Sequence, residues 1–232
     1  MPTVVVSGGS GAVGKATISL LRKHESPVYN IISIGTKLNP EANHNILVSA
    51  DDSIESQGEK VIQQAGLLLK EGEKFDAIIC VAGGFAGGNA ASDGFLASAA
   101  FNLNKSLNPA LIASHLAAKY LKEGGLITLT GTANLTSTPG YIGYGVAKAG
   151  IHHLVRSLAS PGSGLPKDAK VVSLSPAAID TPANRQSNMP ALIPLNAITQ
   201  RLLDWTTGAI PVPHGKIVEV VVENNEPTWK VL

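Results

Sequence analysis

Tyr144 and Lys148 stand four positions apart in Tyr144-Gly145-Val146-Ala147-Lys148. On a helix that spacing is one turn along one face, so an ammonium lies near a phenol. A cation about 4 Å from a developing phenolate, at an effective dielectric near 20, is worth roughly 4 kcal/mol to it. That brings a tyrosine, with an ordinary pKa of about 10, into use as a proton donor at neutral pH. A Tyr-x-x-x-Lys pair alone is a weak signal. It gains weight from Gly8-Gly9-Ser10-Gly11-Ala12-Val13-Gly14, which directly follows an apolar N-terminal run. Residues 9–14 fit G-x-G-x-x-G, whose glycines permit a tight turn, close approach of backbone to a pyrophosphate, and close helix–sheet packing. The next helix points its free N–H groups at the phosphates. Together the two features predict hydride transfer from a nicotinamide dinucleotide. Gly8, Gly9, Gly11, Ala12, Val13 and Gly14 are the expected cofactor contacts.

Strand-like and helix-like runs alternate along the chain. Strands are expected at 3–7, 28–34, 45–49, 75–81, 125–130, 170–175 and 216–222, and helices at 12–23, 53–70, 101–122, 141–159 and 198–207. Ser53 is the expected N-cap of the second helix, with Ser56-x-x-Glu59 a further capping-box candidate. The long helix at 101–122 should be irregular at Pro109. The run at 75–81, apolar apart from Asp76, suits a strand covered on both faces. Alternation of this kind predicts right-handed crossovers and an α/β fold. The expected architecture is a single-domain Rossmann-like doubly wound parallel sheet of about seven strands, helices on both faces, over residues 1–232. Ligands then bind at the carboxyl ends of the strands. The segments there are glycine-rich or polar: Gly8–Gly14, Gly35-Thr36-Lys37, Ala82-Gly83-Gly84-Phe85-Ala86-Gly87-Gly88-Asn89, Gly131-Thr132 and residues 176–185.

A carboxylate at the end of the second strand would hold the ribose 2′-hydroxyl of NADH. Gly35 stands there instead, followed by Thr36 and Lys37. Without the acid nothing repels a 2′-phosphate, so NADPH is an expected cofactor alongside NADH. Lys37 either supplies the matching charge or is a solvated loop residue. Asp51 either accepts a bond from the adenine amino group or is a surface turn residue.

Charged residues make up 15% of the 232-residue chain, apolar ones 44%, and the net charge is +1. These values fit a globular domain and argue against nucleic acid or an anionic membrane as partner. No apolar run is long enough to span a bilayer. The single cysteine, Cys80, lies in an apolar run and reads as a small buried hydrophobe; with no signal-peptide pattern, a cytoplasmic location is expected. The six histidines lack metal-ligand spacing, and no metal is expected. Trp205 and Trp229 read as packing residues.

In order, the glycine-rich turn, Ala82-Gly83 and Tyr144-x-x-x-Lys148 resemble the short-chain dehydrogenase/reductase superfamily. Longer stretches resemble its dihydropteridine reductase family: residues 80–90, Ser114-His115-Leu116-Ala117 with residues 122–126, residues 138–148, residues 180–185, and Asp204-Trp205 with Gly208. The resemblance runs nearly end to end. It implies NAD(P)H-dependent return of quinonoid dihydropteridine, such as dihydrobiopterin, to the tetrahydro form, and so a part in tetrahydrobiopterin supply. It also implies a homodimer that packs two long helices per subunit. Carried onto this chain, Tyr144 is the proton donor, and Lys148 binds the nicotinamide ribose and depresses the tyrosine pKa. Thr132 stands where the superfamily usually has serine, and Ser106 where it has asparagine. Ala82, Gly83 and Gly84 border the cofactor. Phe85, in place of a usual tryptophan, would stack on the pterin. Asn184 and Arg185 lie on the loop that covers substrate. Two rivals remain: another short-chain reductase acting on a carbonyl, and a non-catalytic NAD(P)-sensing protein.

Overall fold

The computed structural model describes residues 1–187, Met189 and residues 191–232. Its centre is β1 (Thr3–Ser7), a Val-rich strand buried along nearly its whole length. Parallel to it on one side are β2 (Asn30–Gly35) and then β3 (His44–Leu47). On the other side come β4 (Phe75–Cys80), β5 (Leu121–Thr130), β6 (Lys170–Pro176) and β7 (Ile217–Glu223), all parallel. An eighth strand, β8 (Glu226–Val231), pairs antiparallel with β7. The sheet order is β3-β2-β1-β4-β5-β6-β7-β8. The chain reverses direction across the sheet between β1 and β4, which opens a crevice at their carboxyl ends.

The eighth strand was not expected from the sequence. Asn224 and Asn225 both adopt positive φ, 52° and 64°, as a two-residue hairpin turn of matching twist requires. The turn is built from two asparagines rather than a glycine pair, and β8 is a half-buried edge strand with a proline. Trp229 of β8 packs on the core beneath it, with the Arg201 guanidinium 3.8 Å from its ring centroid. Trp205 is buried in the same layer, so both tryptophans pack as expected.

Helices cover both faces. On one side α2 (Ile54–Leu67), α4 (Asn108–Tyr120) and α5 (Ile142–Leu158) enclose Val61, Leu116, Ile127, Ile151 and Val155. On the other, α1 (Ala12–Lys23) and α7 (Leu195–Thr207) enclose Ile18, Leu21, Ile198 and Leu202. Burying each such side chain is worth about 1.5–3 kcal/mol. Ser53 does cap α2, accepting from the Ser56 amide at 3.2 Å. The second capping box does not form, because Ser56 already lies inside the helix.

The expected helix at 101–122 is three pieces: α3 (Phe95–Asn102), a π-helical turn at Leu103–Leu107, and α4. The irregularity lies just ahead of Pro109, and the helical backbone runs on through Leu107 and Asn108, so the proline, which has no N–H to donate, stands inside a continuous helix directly after the π-helical turn. β5 starts at Leu121, four residues earlier than expected, with a register shift opposite Phe75 and Ala77. A short α6 (Pro182–Gln186), capped by Thr181, follows β6. Cys80 is fully buried, and burial pushes its thiol up, as befits an inert core residue.

Candidate active site

The first glycine turn is dictated by backbone crowding. A Cβ on Gly14 would lie 2.1 Å from the Gly8 carbonyl oxygen, and one on Gly8 would lie 2.5 Å from the Ala82 amide nitrogen. Gly8 also takes a φ of +87°, which other residues rarely adopt. The turn leads into α1, whose N-cap Gly11 has no side-chain cap and whose first turn carries no acid. The N–H groups there stay free for an anion.

From this turn a cleft runs across the carboxyl ends of the strands in two lobes that share Gly11, Val81, Ala82 and Gly83. The first lobe, about 340 Å³, reaches Ser10, Gly35, Thr36, Ala50 and Gln57. Among its described lining residues there is no carboxylate, as the Gly35-Thr36 sequence led us to expect. The second lobe, about 510 Å³, is bounded by Phe85, Tyr144, Lys148, Ile179 and Asn184. Ala12, Val13 and Gly84 also line it. Gly9 and Gly14 line neither lobe. They serve packing: a Cβ on Gly9 would strike the Ser33 hydroxyl at 2.3 Å.

Lys37 and Asp51 are exposed and lie outside the lining, whereas Ala50 and Gln57 face it. The sequence pointed to the charged residues of these loops, but their neutral neighbours Thr36 and Ala50 line the lobe, with Gln57 of α2. Lys105, which no motif marked, also borders the first lobe.

Tyr144 and Lys148 share one face of α5, as their spacing predicts. Lys148 is 3% exposed, and its Nζ donates to the Thr130 carbonyl at 2.8 Å while lying 5.6 Å from the centroid of the Tyr144 ring. Burial lowers the Lys148 ammonium to about 8, with Cys80 pulling the other way. The Tyr144 phenol corrects the expectation of a depressed value. Burial pushes it above its ordinary range, the Thr132 hydroxyl draws it down, and Tyr141 adds a further upward push. The ammonium is committed to a backbone carbonyl and stands over the ring, so desolvation prevails. The phenol is therefore protonated at neutral pH, the state a proton donor needs.

Thr132 is buried beside this pair and donates to the Pro176 carbonyl at 3.3 Å. Behind it, His152 Nε2 lies 3.0 Å from Ser175 Oγ, which lies 2.9 Å from Ser173 Oγ. Burial holds His152 down to about 4. This cluster occupies the space a Cβ on Gly131 would need, only 2.3 Å from His152 Nε2. Ser106 sits in the π-helical turn with its hydroxyl buried and unpartnered. A Cβ on Gly83 would lie 3.8 Å from both the Ser106 hydroxyl and Lys148 Nζ.

Phe85 is 56% exposed over the second lobe, its ring 5.1 Å from that of Tyr144 and 5.9 Å from that of Tyr141. Asn184 lines the lobe from α6 while its Nδ2 donates to the Ile179 carbonyl at 2.8 Å. Arg185 does not face the lobe. It pairs with Asp180, which holds that carboxyl below its usual range. Two buried asparagines were missed by the sequence reading. Asn39 donates to the Gly9 carbonyl at 2.8 Å, and Asn102 bonds both backbone polar groups of Ala86. Neither belongs to a motif, since each acts on a segment distant in sequence.

A family model described as enoyl-(acyl carrier protein) reductase matches residues 33–204. Dihydropteridine reductase of Dictyostelium discoideum is 35% identical over 232 residues, covering 97% of each chain. Among solved structures, a short-chain dehydrogenase family protein from Francisella tularensis superimposes with a TM-score of 0.73 at 18% identity, covering 94% of this chain and 96% of that one. A short-chain dehydrogenase from Burkholderia cenocepacia in complex with NADP gives 0.68 at 20% identity, covering 92% and 91%. The chain thus belongs to the short-chain dehydrogenase/reductase superfamily and, within it, to the dihydropteridine reductase family. It is an oxidoreductase that uses a nicotinamide dinucleotide, NADH or NADPH.

Proposed function

We propose that this protein reduces a quinonoid dihydropteridine to its tetrahydro form, with Tyr144 donating the proton. The observation that carries this reading is the second lobe itself. A protonated phenol, a buried lysine and an exposed aromatic ring border one apolar cavity next to the glycine turn. The nicotinamide, when bound, supplies the hydride; the chain supplies position and the proton. The Phe85 ring offers a stacking face to a flat heterocycle, and Asn184 closes the far side. Tyr144 gives up its proton as the acceptor gains the hydride. Lys148 then stabilises the resulting phenolate, because its nearby cation is worth far more to a charged oxygen than to a neutral phenol. Thr132 holds the phenol's hydrogen-bonding neighbourhood. Both coenzymes are accepted, because no carboxylate stands at Gly35 to exclude a 2′-phosphate.

We further read residues 1–232 as one reductase domain, working as a cytoplasmic homodimer. No described helix is long and apolar enough to cross a membrane, and no described cluster of His, Cys, Asp and Glu could hold a metal. The test is oxidation of NADH and of NADPH coupled to chemically generated quinonoid dihydropterin, beside a panel of simple ketones. Pterin turnover well above ketone turnover is expected. Turnover of ketones alone would assign the protein to another short-chain reductase, and coenzyme binding without any turnover would make it a sensor. Coenzyme dissociation constants for Lys37→Ala complete the test. An unaltered NADPH affinity would leave Lys37 a solvated loop charge.

A further inference from the structure

Phe85 sits on a loop that its own sequence does little to order. Gly83, Gly84, Gly87 and Gly88 surround it, and glycine gives up more conformational freedom on ordering than any other residue. Yet the loop is tied on both sides of Gly87. On one side lies Asn102, the last residue of α3, which is 0% exposed. Its Oδ1 accepts from the Ala86 amide at 3.0 Å, and its Nδ2 donates to the Ala86 carbonyl at 2.9 Å and to the Ser98 carbonyl at 2.8 Å. Every hydrogen of the Asn102 amide is thereby used. On the other side Gly88 bridges the segment before α5, its amide donating to the Gly140 carbonyl at 2.9 Å and its carbonyl accepting from the Ile142 amide at 3.2 Å. That bridge brings Tyr141 against the Phe85 ring.

We propose that Asn102 is a positioning residue for the reductase reaction: by holding both polar groups of Ala86, it fixes the neighbouring Phe85 ring over the acceptor site before the acceptor arrives. The proposal rests on the pterin reading above for its substrate, but not for its geometry. An amide suits the task because it offers a donor and an acceptor to one peptide at once. Aspartate, of the same shape, keeps the acceptor and loses both donors. A ring fixed in advance spares the acceptor the cost of ordering the loop, so loss of the clamp should appear in KM.

The test uses the full chain carrying Asn102→Asp, with the smaller, uncharged Asn102→Ser as the second variant should the first fail to fold. KM for quinonoid dihydropterin should rise about tenfold, kcat should change less than threefold, and NADH affinity less than twofold. In a Phe85→Ala background the same substitution should add less than twofold, because the ring it positions is gone. A full tenfold effect in that background, or an unchanged KM in the parent, overturns the proposal. Hydrogen exchange supplies a readout free of any substrate. The amides of Ala86 and Gly88 should exchange at least tenfold faster in the variant while those of α5 keep their rates. Unchanged exchange at Ala86 overturns the clamp. Should the parent enzyme ignore quinonoid dihydropterin, the proposed substrate falls, and the exchange measurement alone decides the clamp.

Discussion

The two glycine-rich loops at the carboxyl ends of β1 and β4 look alike in sequence and are built on different physics. In the first, Gly8 and Gly14 are required because any Cβ would meet main-chain atoms at 2.1–2.9 Å. Backbone cannot step aside, so the turn is set by sterics and has one shape. In the second, a Cβ on Gly83 or Gly87 would find its nearest neighbours at 3.8 and 3.6 Å, ordinary contact distances, and one on Gly84 would meet side chains only, Phe101 at 2.9 Å and Lys105 at 3.1 Å; Gly88 alone needs glycine for its backbone, with a φ of +134°. Its shape comes from side-chain clamping by Asn102 and from the bridge to Gly140 and Ile142. The loops do share one device: each is held by a buried asparagine reaching in from another segment, Asn39 to Gly9 and Asn102 to Ala86. A loop made rigid by crowding suits a cofactor common to many enzymes. A loop made rigid by removable hydrogen bonds can be retuned for its substrate.

Substitutions can break or sharpen this contrast. The largest effect is expected from Gly14→Val, which forces a side chain into the Gly8 carbonyl. Overpacking of this kind costs about 1–3 kcal/mol or more. If the turn holds the coenzyme phosphates, NADH affinity measured by fluorescence titration should fall at least about a hundredfold, since the turn itself is displaced. Next is Tyr144→Phe, which leaves both loops in place. Proton transfer by a positioned acid contributes about 10²–10⁴-fold, and an easily reduced acceptor calls on the low end. The expected loss in kcat is therefore about a hundredfold, with NADH affinity nearly intact. An unaltered kcat under chemistry-limited conditions would remove the acid role.

Lys148→Met separates catalysis from stability. The folded-state value of about 8 lies below the ordinary lysine value of 10.5. The unfolded chain thus binds the extra proton between those values, so stability rises with pH across that window, and the penalty is fully present below pH 8. The difference corresponds to on the order of 3 kcal/mol. The variant should lose activity yet resist denaturant better than the parent at pH 7, and the advantage should shrink toward pH 10. Gly35→Asp probes the first lobe more gently. Its Cβ would come closest to the movable Ser10 hydroxyl, at 3.1 Å, with the Lys37 carbonyl at an ordinary 3.7 Å. The new carboxylate should weaken NADPH at least about tenfold while sparing NADH, by like-charge repulsion. Gly87→Ala should do least. Turnover and denaturation midpoint should each stay close to the parent, because the methyl group would meet only the Gly140 carbonyl oxygen, at an ordinary contact distance of 3.6 Å. A large effect there would mean that the second loop is limited by crowding after all.

The strand–helix alternation, the turn before α1 and the Tyr144–Lys148 face of α5 were all legible in the sequence. Each is a local rule: a period of two or of 3.6, or a steric need met within a few residues. The strand pattern at 75–81, apolar apart from Asp76, foretold a central parallel strand. β8 escaped because its turn is Asn224-Asn225 rather than a glycine pair. The irregularity near Pro109 was foreseen, but its form, a π-helical turn at Leu103–Leu107, was not, because such a turn has no residue signature. Within the site, the chain order gave the candidates but not their facing. Lys37 and Asp51 carry the charge, yet Ala50 and Gln57 meet the cleft.

The amino-acid order determined the sheet's core strands, the glycine turn before α1 and the pairing of phenol with lysine, because those depend on neighbours along the chain. Only the folded molecule decided that burial raises the phenol, that Lys148 Nζ donates to the Thr130 carbonyl, and that Asn39 and Asn102 steady the two loops. Desolvation and long-range hydrogen bonds depend on what lies across the sheet, and a linear pattern carries no record of that.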